Sequence, residues 1–401
     1  MDTTVGHDNI DKLTMWRTHS GTWRGIAVVL TIFTAVHLWV IMFIRHRSWQ
    51  AAEFLDYPLG CGDMQQCARF GSNLFGQSLV WVHKLLVGFY AKFYGDTLAI
   101  PRLSGVDVEA ALLAEQLTRV IYMTILGVGA YLVFRRLLRS IVGALVAVNG
   151  LLFMFSGFYL SPIIRFVDHF DQLTKLGELL RMQQLSFLMH YDYLIVPAYL
   201  STIFVLKRLR EHRMTLSMCF GYAFLLGSIY EGLVPVVALS YVIMSIRFRN
   251  VLLKYLFVLI AGQATATIVA YASQFGNREV NWVGRSVTTY GADNIEYIPQ
   301  LFLLFAVIAV VSFGLGYLFL SVLRQSRVIR WVPSILAYRE TIFSVVVSLL
   351  VLHVFGVAVA GYTNEFVRQS LGFQAMMFTL GLCASCPKES TTESRTDDRT
   401  N

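Results

Sequence analysis

Three carboxylates lie close together in the stretch EFLDYPLGCGDMQQC: Glu53, Asp56 and Asp63. A carboxylate can accept the proton of an attacking hydroxyl group, so these residues are candidates for general-base catalysis. Pro58 and two glycines stand among them, and Asp beside Gly and Pro also forms tight turns. For Asp56 and Asp63 the sequence therefore leaves two interpretations open, a catalytic base and a turn former.

Cations that could hold a phosphate lie in two later polar segments. The segment 161–191 contains Arg165 and His169, and the segment 275–298 contains Arg278 and Arg285 together with Trp and Tyr. The fork of N–H donors on arginine matches phosphate oxygens, and histidine transfers protons near neutral pH. Acids, cations and aromatic rings in this mixture favour chemistry between a lipid phosphate and a carbohydrate. His169 and its acidic neighbours also fit a solvated helix face.

Glu231 is a further candidate for substrate binding, because it falls between two apolar runs in SIYEGLVP. An ionisable group inside a membrane is costly and usually faces a cavity. If the chain turns at a shallow depth there, Glu231 is only interfacial. Gly232 and Pro235 favour a turn, so we predict two helices in this region rather than one broken helix.

The elements that must position these residues are apolar. Hydrophobic residues make up 56% of the sequence and charged residues only 14%, which is far from ordinary globular usage. We predict an all-α polytopic integral membrane protein with about nine or ten transmembrane helices, since a span needs roughly 20 apolar residues. The apolar runs lie near 25–45, 118–134, 140–160, 192–206, 214–230, 233–246, 251–274, 299–323, 341–361 and 369–384.

Charge predicts the orientation. Four alternate short loops hold 14 basic residues and the three intervening loops hold 5, so the basic loops are expected in the cytoplasm. This gives a cytoplasmic segment 1–24, a membrane domain 25–386 and a disordered polar tail 387–401. Outer loops are expected near 46–117, 161–191 and 275–298, with an interfacial helix at 78–95 in the long first loop. No cleavable signal peptide is expected, and the first run is predicted to be a signal anchor.

The basic residues are dispersed among apolar runs, so the net charge of +8 does not indicate a nucleic-acid partner. Cys61 and Cys67 share the first outer loop, where they either form a disulfide or stay free. Cys383 and Cys386 form a lone C-x-x-C, which disfavours a zinc site. Acidic loops are compatible with Mg²⁺ or Mn²⁺, but no ligand set is evident and the cofactor is left open.

The architecture resembles the integral-membrane glycosyltransferases of the C superfamily. The resemblance rests on the cytoplasmic N-terminus, the long acidic first outer loop with its interfacial helix, and about ten spans. It implies transfer of a sugar from a polyprenyl-phosphate carrier to a cell-envelope glycan or lipid-linked acceptor, at the outer face of a bacterial inner membrane. By this resemblance Asp56 and Asp63 are the nearest matches to the family's catalytic acids, with Glu53 third.

Two alternatives stay open. An O-antigen or exopolysaccharide repeat-unit polymerase has similar hydropathy, although its large outer loops come later in the chain. A secondary transporter would show repeated halves or several charges deep inside spans, and here mainly Glu231 fits. Serine-hydrolase, zinc-protease, P-loop and dinucleotide-binding motifs are absent from the sequence, which argues against soluble nucleotide-dependent enzymes.

Overall fold

The computed structural model describes residues 28, 32, 124–155, 160–174, 176–177, 180–181, 195–229, 232–248, 252–273, 298–325, 333–360 and 363–385. Within these residues the chain is 92% helical and has no β-strand, which confirms the all-α prediction. The helices are α1 (124–138), α2 (Ile141–Phe155), α3 (Leu160–Val167), α4 (Ile195–Arg210), α5 (Leu216–Ile229), α6 (Leu233–Phe248), α7 (Leu253–Ser273), α8 (Ile298–Gln325), α9 (Pro333–Leu336), α10 (Arg339–Ala360) and α11 (Thr363–Ala384).

Nine of the predicted apolar runs overlap a helix, and the run 25–45 lies almost entirely outside the described residues. The prediction of two helices around SIYEGLVP is confirmed, because α5 ends at Ile229 and α6 begins at Leu233. In the described part, two stretches are long and apolar enough to cross a membrane by length and composition, Ile141–Val167 and Phe302–Val322. The number of crossings stays a prediction.

Two tight links between consecutive helices are built in the same way. Arg139 after α1 and His212 after α4 have φ angles of 49° and 54°, the left-handed conformation that commonly ends a helix. Ser140 and Thr215 then accept hydrogen bonds from backbone N–H groups of the next helix, at 3.1 and 3.2 Å. Each hydroxyl satisfies a donor that the first helical turn leaves without a partner. One helix end and the following helix start are therefore satisfied in the same way at both links.

Pairs of parallel helices approach each other at glycines. In α8 and α11, a Cβ on Gly316 would meet the carbonyl oxygen of Phe378, and a Cβ on Gly381 would meet the carbonyl oxygen of Phe313. Further along the same two helices the rings of Phe305 and Phe373 pack edge to face, with centroids 4.9 Å apart. Small residues thus let the two backbones touch, as they do in closely packed membrane helices.

The pair α5 and α7 repeats this arrangement. A Cβ on Gly262 of α7 would lie 2.7 Å from the Cβ of Ala223 and 2.8 Å from the carbonyl oxygen of Phe220 on α5. One turn further on, a Cβ on Gly227 would lie 2.6 Å from the side-chain oxygen of Gln263. Both contacts advance in the same direction along the two helices, so α5 and α7 are parallel. The helix that connects them in the chain, α6, runs in the opposite direction.

Polar contacts inside the bundle come mainly from serine. Ser240 of α6 and Ser348 of α10 are fully buried, and their hydroxyl oxygens lie 2.9 Å apart. By contrast, large apolar side chains such as Ile246, Phe257 and Val310 are about two-thirds exposed on the outside. The usual distribution of a water-soluble domain, with apolar residues inside and polar residues outside, is thus partly inverted.

One end of the bundle carries a concentration of cations, here called the basic end. Arg136 of α1 lies 4.7 Å from the ring centroid of Phe204 on α4, and Lys207 lies 4.2 Å from that of Tyr338. The ends of α1, α4 and α6 and the starts of α5, α7 and α10 meet here. The described cations of the basic end are Arg135, Arg136, Arg139, Lys207, Arg208, Arg210, Arg213, Arg247, Lys254 and Arg339.

Candidate functional site

Only two of the predicted site residues fall within the described part of the chain. Arg165 lies near the end of α3 and His169 lies in the turn that follows, and both are exposed. The remaining predicted residues lie outside the described residues: Glu53, Asp56, Asp63, Glu231, Arg278 and Arg285. The candidate site is therefore built from the α3 region.

α3 is an amphipathic helix. Leu160, Ile164 and Val167 recur at helical spacing and are buried, whereas Arg165 and Phe166 are exposed on the other side. The sequence predicts an outer loop that starts at 161, and the structure shows that the beginning of this loop is helical. The apolar residues at four- and three-residue spacing are the signal for the helix, and they hold Arg165 facing outward.

The turn after α3 continues the helical path for a few residues. Asp168 N–H donates to the carbonyl of Ile164 at 2.9 Å, and His169 N–H donates to the carbonyl of Phe166 at 3.3 Å. His169 therefore stands four residues after Arg165 on a backbone that is still helix-like, a spacing that brings side chains to one face. Within the described residues neither Arg165 nor His169 forms an ion pair.

An ion pair closes the segment back on itself. Asp168 Oδ1 lies 2.5 Å from Arg181 Nη2, across thirteen residues of sequence. Gly177 lies beside the pair, since a Cβ there would be 3.1 Å from the Asp168 carboxylate oxygen and 3.6 Å from a Val167 methyl group. Leu176 and Leu180 are buried on the same segment. The result is a helical hairpin with the pair on its exposed side.

Arg181 is not among the residues that the sequence predicts for the site, and the sequence assigns Asp168 to a solvated helix face. A separation of thirteen residues matches no local spacing rule, so only the fold brings the two side chains together. The apolar residues Leu173, Leu176 and Leu180 supply a weak signal, because their spacing predicts a second amphipathic helix that could pair with α3.

The hairpin lies on the far side of the bundle from the basic end. α2 starts beside the basic end at Ile141 and leads away from it, and α4 starts at Ile195 and leads back. α3 is only 8 residues long, about 12 Å, whereas α2 has 15 residues and spans about 22 Å. α3 is thus too short to return to the basic end. Among the described residues, fewer cations lie beside Arg165 and His169 than at the basic end.

Metal ligands do not assemble in the described residues. No three side chains of His, Cys, Asp and Glu come close enough there to hold an ion. Cys383 of the predicted C-x-x-C is buried in α11, and its thiol faces the carbonyl of Ile335 at 3.7 Å. Cys386, Cys61 and Cys67 lie outside the described residues, so the predicted disulfide is not tested.

Similarity to known proteins gives no assignment. No protein-family model, curated protein or solved structure matches this chain. Any statement about function therefore depends on the physical features of the chain itself. These are the hairpin, whose Arg165 and His169 form no ion pair within the described residues, the basic end opposite to it, and the apolar outer surface between them.

Proposed function

We propose that this chain is a polytopic membrane protein that transfers a sugar from a polyprenyl-phosphate carrier to a cell-envelope glycan or lipid-linked acceptor, at the outer face of a bacterial inner membrane. The proposal combines the resemblance to the C superfamily with three physical features. These concern the outer surface, the distribution of charge and the α3 hairpin.

Membrane embedding is supported by the outer surface of the bundle. Only about a third of the most apolar part of α8 is buried inside the bundle. Its exposed residues include the large apolar side chains of Phe302, Val310 and Leu318. On α7 the described exposed positions after Lys254 are all apolar, and they include Phe257, Ile260 and Ile268. In water such faces would be a large aggregation-prone patch, whereas in lipid they are the expected surface.

The charge distribution supports the orientation. Ten described cations lie at the basic end, and the loops there are short, which is the pattern of a cytoplasmic membrane surface. With this orientation the α3 hairpin and the acidic first loop would lie on the outer side. Donor sugars carried by polyprenyl phosphate are used on that side in the family that the chain resembles.

The observation that carries the transferase proposal is which charged side chains of the hairpin form ion pairs. Asp168 and Arg181 neutralise each other, and this leaves Arg165 and His169 exposed without an ionic partner in the described residues. Arg165 can hold the phosphate of the carrier, whose negative charge grows as the sugar leaves. Asp56 or Asp63 would accept the proton of the acceptor hydroxyl group, with Glu53 as the third candidate. Arg278, Arg285 and Glu231 remain candidates for further substrate contacts.

The direct test is transfer of radiolabelled sugar from a panel of polyprenyl-phosphate donors in vesicles that contain the protein. We expect transfer by the wild type and none by the Asp56→Asn/Asp63→Asn double variant. Arg165→Ala should lower kcat/KM by about tenfold or more, and Arg165→Lys should restore part of the loss, because one good charge-assisted phosphate contact contributes roughly that much. Each variant must insert in the membrane to the same extent as the wild type.

Two outcomes would redirect the proposal. If the folded, inserted wild type transfers no sugar from any donor, the transferase proposal fails. If the protein instead lengthens an oligosaccharide linked to polyprenyl diphosphate, it is a repeat-unit polymerase rather than a transferase. Normal transfer by the double variant would remove the first loop from the mechanism and leave the hairpin residues as the candidates.

A further inference from the structure

Three segments are locked together at one side of the basic end. Tyr255 of α7 donates a hydrogen bond from its hydroxyl to the carbonyl of Met214 in the α4–α5 link, at 2.8 Å. The backbone N–H of Leu252 donates to the hydroxyl oxygen of Tyr241 on α6, at 3.2 Å. The two buried tyrosine rings pack edge to face with centroids 6.2 Å apart. The α4–α5 link, the end of α6 and the start of α7 thus form one fixed junction.

This junction carries three exposed cations. Arg213 directly precedes Met214, Arg247 is in the last turn of α6, and Lys254 is the second residue of α7. The hydrogen bond of Tyr255 to Met214 brings the backbones of Lys254 and Arg213 to within about one tyrosine side chain of each other, and Arg247 lies less than two helical turns after Tyr241. The junction, defined by these three cations, is here called the cation junction.

Acidic residues neutralise only part of the charge. Glu211 lies 3.6 Å from Arg213 and 4.0 Å from Lys207. Glu340 lies 3.2 Å from Arg210 and 3.3 Å from Arg247. Each carboxylate is therefore shared between two cations. Within the described residues these two carboxylates pair with four cations, and Arg208 and Lys254 form no ion pair.

An apolar face begins directly at the cation junction. Ile246, next to Arg247, and Leu253, next to Lys254, are both more than 60% exposed. From Leu253 the exposed face of α7 continues through Phe257 and Ile260 to Ile268 without a charge, over roughly 22 Å. A surplus of positive charge thus adjoins a long exposed apolar stripe.

We infer that the cation junction binds the headgroup of an anionic phospholipid whose acyl chains lie along the exposed face of α7. The phosphate meets Arg213, Arg247 and Lys254, and the hydrocarbon covers Leu253, Phe257 and Ile260. Charge complementarity and the adjoining apolar stripe select this occupant, since a free phosphate would leave the stripe uncovered. The inference rests on the proposed membrane embedding and does not depend on sugar transfer.

The test is a lipid titration of the intact protein in detergent, followed by native mass spectrometry. Phosphatidylglycerol is the anionic probe and phosphatidylcholine is the zwitterionic probe. The double variant Arg247→Gln/Lys254→Gln removes two charges from the junction. Its matched control, Arg136→Gln/Arg139→Gln, removes two charges from α1 and its link at the same end of the bundle.

We expect the wild type and the control to bind phosphatidylglycerol in preference to phosphatidylcholine. The junction variant should lose about 30-fold in affinity, because a cation close to an anionic lipid surface contributes roughly a factor of five. Added salt should weaken binding by the wild type more than binding by the junction variant. Thermal unfolding without added lipid checks that the variant remains folded.

Equal affinity of the junction variant and the control would overturn the inference. Competition by millimolar inorganic phosphate would also overturn it, because the junction would then be a site for a soluble anion. The result can be separated from the proposed function. Protein that binds phosphatidylglycerol at the junction and transfers no sugar supports the lipid site and contradicts the transferase, and the reverse result contradicts the lipid site alone.

Discussion

Gly316 of α8 and Gly381 of α11 face each other's helix backbone, and each occupies the place where any larger residue would strike a carbonyl group. A Cβ on Gly316 would meet the carbonyl oxygen of Phe378, and a Cβ on Gly381 would meet that of Phe313. The contact is reciprocal and lies between two helix backbones. Neither helix can yield by moving a flexible side chain, so the two glycines set the distance between the helices.

Alanine at either glycine should therefore push α8 and α11 apart. We expect Gly316→Ala and Gly381→Ala to lower the free energy of unfolding by about 1–3 kcal/mol, the range typical of overpacked cores. Gly314→Ala is the matched control, because a Cβ there has nothing within 4 Å. Since Ala favours the helix over Gly by about 1 kcal/mol, the control should be neutral or stabilising. Thermal unfolding in detergent measures all three, and equal effects at 314 and 316 would contradict this packing.

His212 should tolerate replacement by glycine better than replacement by a β-branched residue. Its φ of 54° is a conformation that side chains oppose, and the N–H of Arg213 completes the helix end by donating to the carbonyl of Arg208 at 2.9 Å. We expect His212→Gly to melt at a higher temperature than His212→Val, because glycine adopts this conformation without strain. A β-branched residue is much less tolerant of this conformation, so His212→Val should cost about 1–2 kcal/mol. A stable valine variant would show that the link has a different backbone.

Glu340 should couple three helices in a salt-sensitive way. It binds Arg210 of α4 and Arg247 of α6 from the first turn of α10. All three side chains are at least a third exposed, so Glu340→Gln should cost only about 1 kcal/mol or less. The loss should shrink as salt is raised, because screening weakens the wild-type pairs. Unfolding at low and high salt checks this, and an effect independent of salt would mean that packing, rather than charge, dominates at this position.

The ion pair of Asp168 with Arg181 should affect the KM of sugar transfer, because it sets the shape of the hairpin that carries Arg165. Breaking it with Arg181→Gln frees the Asp168 carboxylate, which can then attract Arg165 or repel a phosphate. Under the proposed function we expect a rise in KM for the polyprenyl-phosphate donor with a smaller change in kcat, since the pair would position the donor-binding Arg165 without touching the reacting atoms.

The charge swap Asp168→Arg/Arg181→Asp is the discriminating variant for that pair. It keeps the ion pair and the local net charge, so it should recover most of the donor affinity lost in Arg181→Gln. If the swap is as defective as the single variant, the pair has no positioning role. Transfer kinetics in vesicles, with insertion measured in parallel, provide the readout.

The sequence by itself determined that the described part of the chain is helical and where most of its helices lie. The apolar runs 214–230 and 233–246 predict α5 and α6, because a backbone in an apolar setting satisfies its own hydrogen bonds most easily as a helix. The turn near Glu231 was also predictable from Gly232 and Pro235. The helix α3 was missed, since its polar residues obscured the buried spacing of Leu160, Ile164 and Val167.

Only the tertiary structure decided which residues meet. Gly316 and Gly381 are ordinary glycines in the sequence, and their importance appears only when two parallel helices are placed in contact. The same holds for Asp168, whose partner Arg181 lies thirteen residues away in the sequence. It also holds for Glu340, whose two arginine partners lie about a hundred residues or more before it. Periodicity specifies which side of a helix is apolar. Which helix packs against that apolar side depends on how all the helices fit together in one interior. No local sequence pattern specifies that packing.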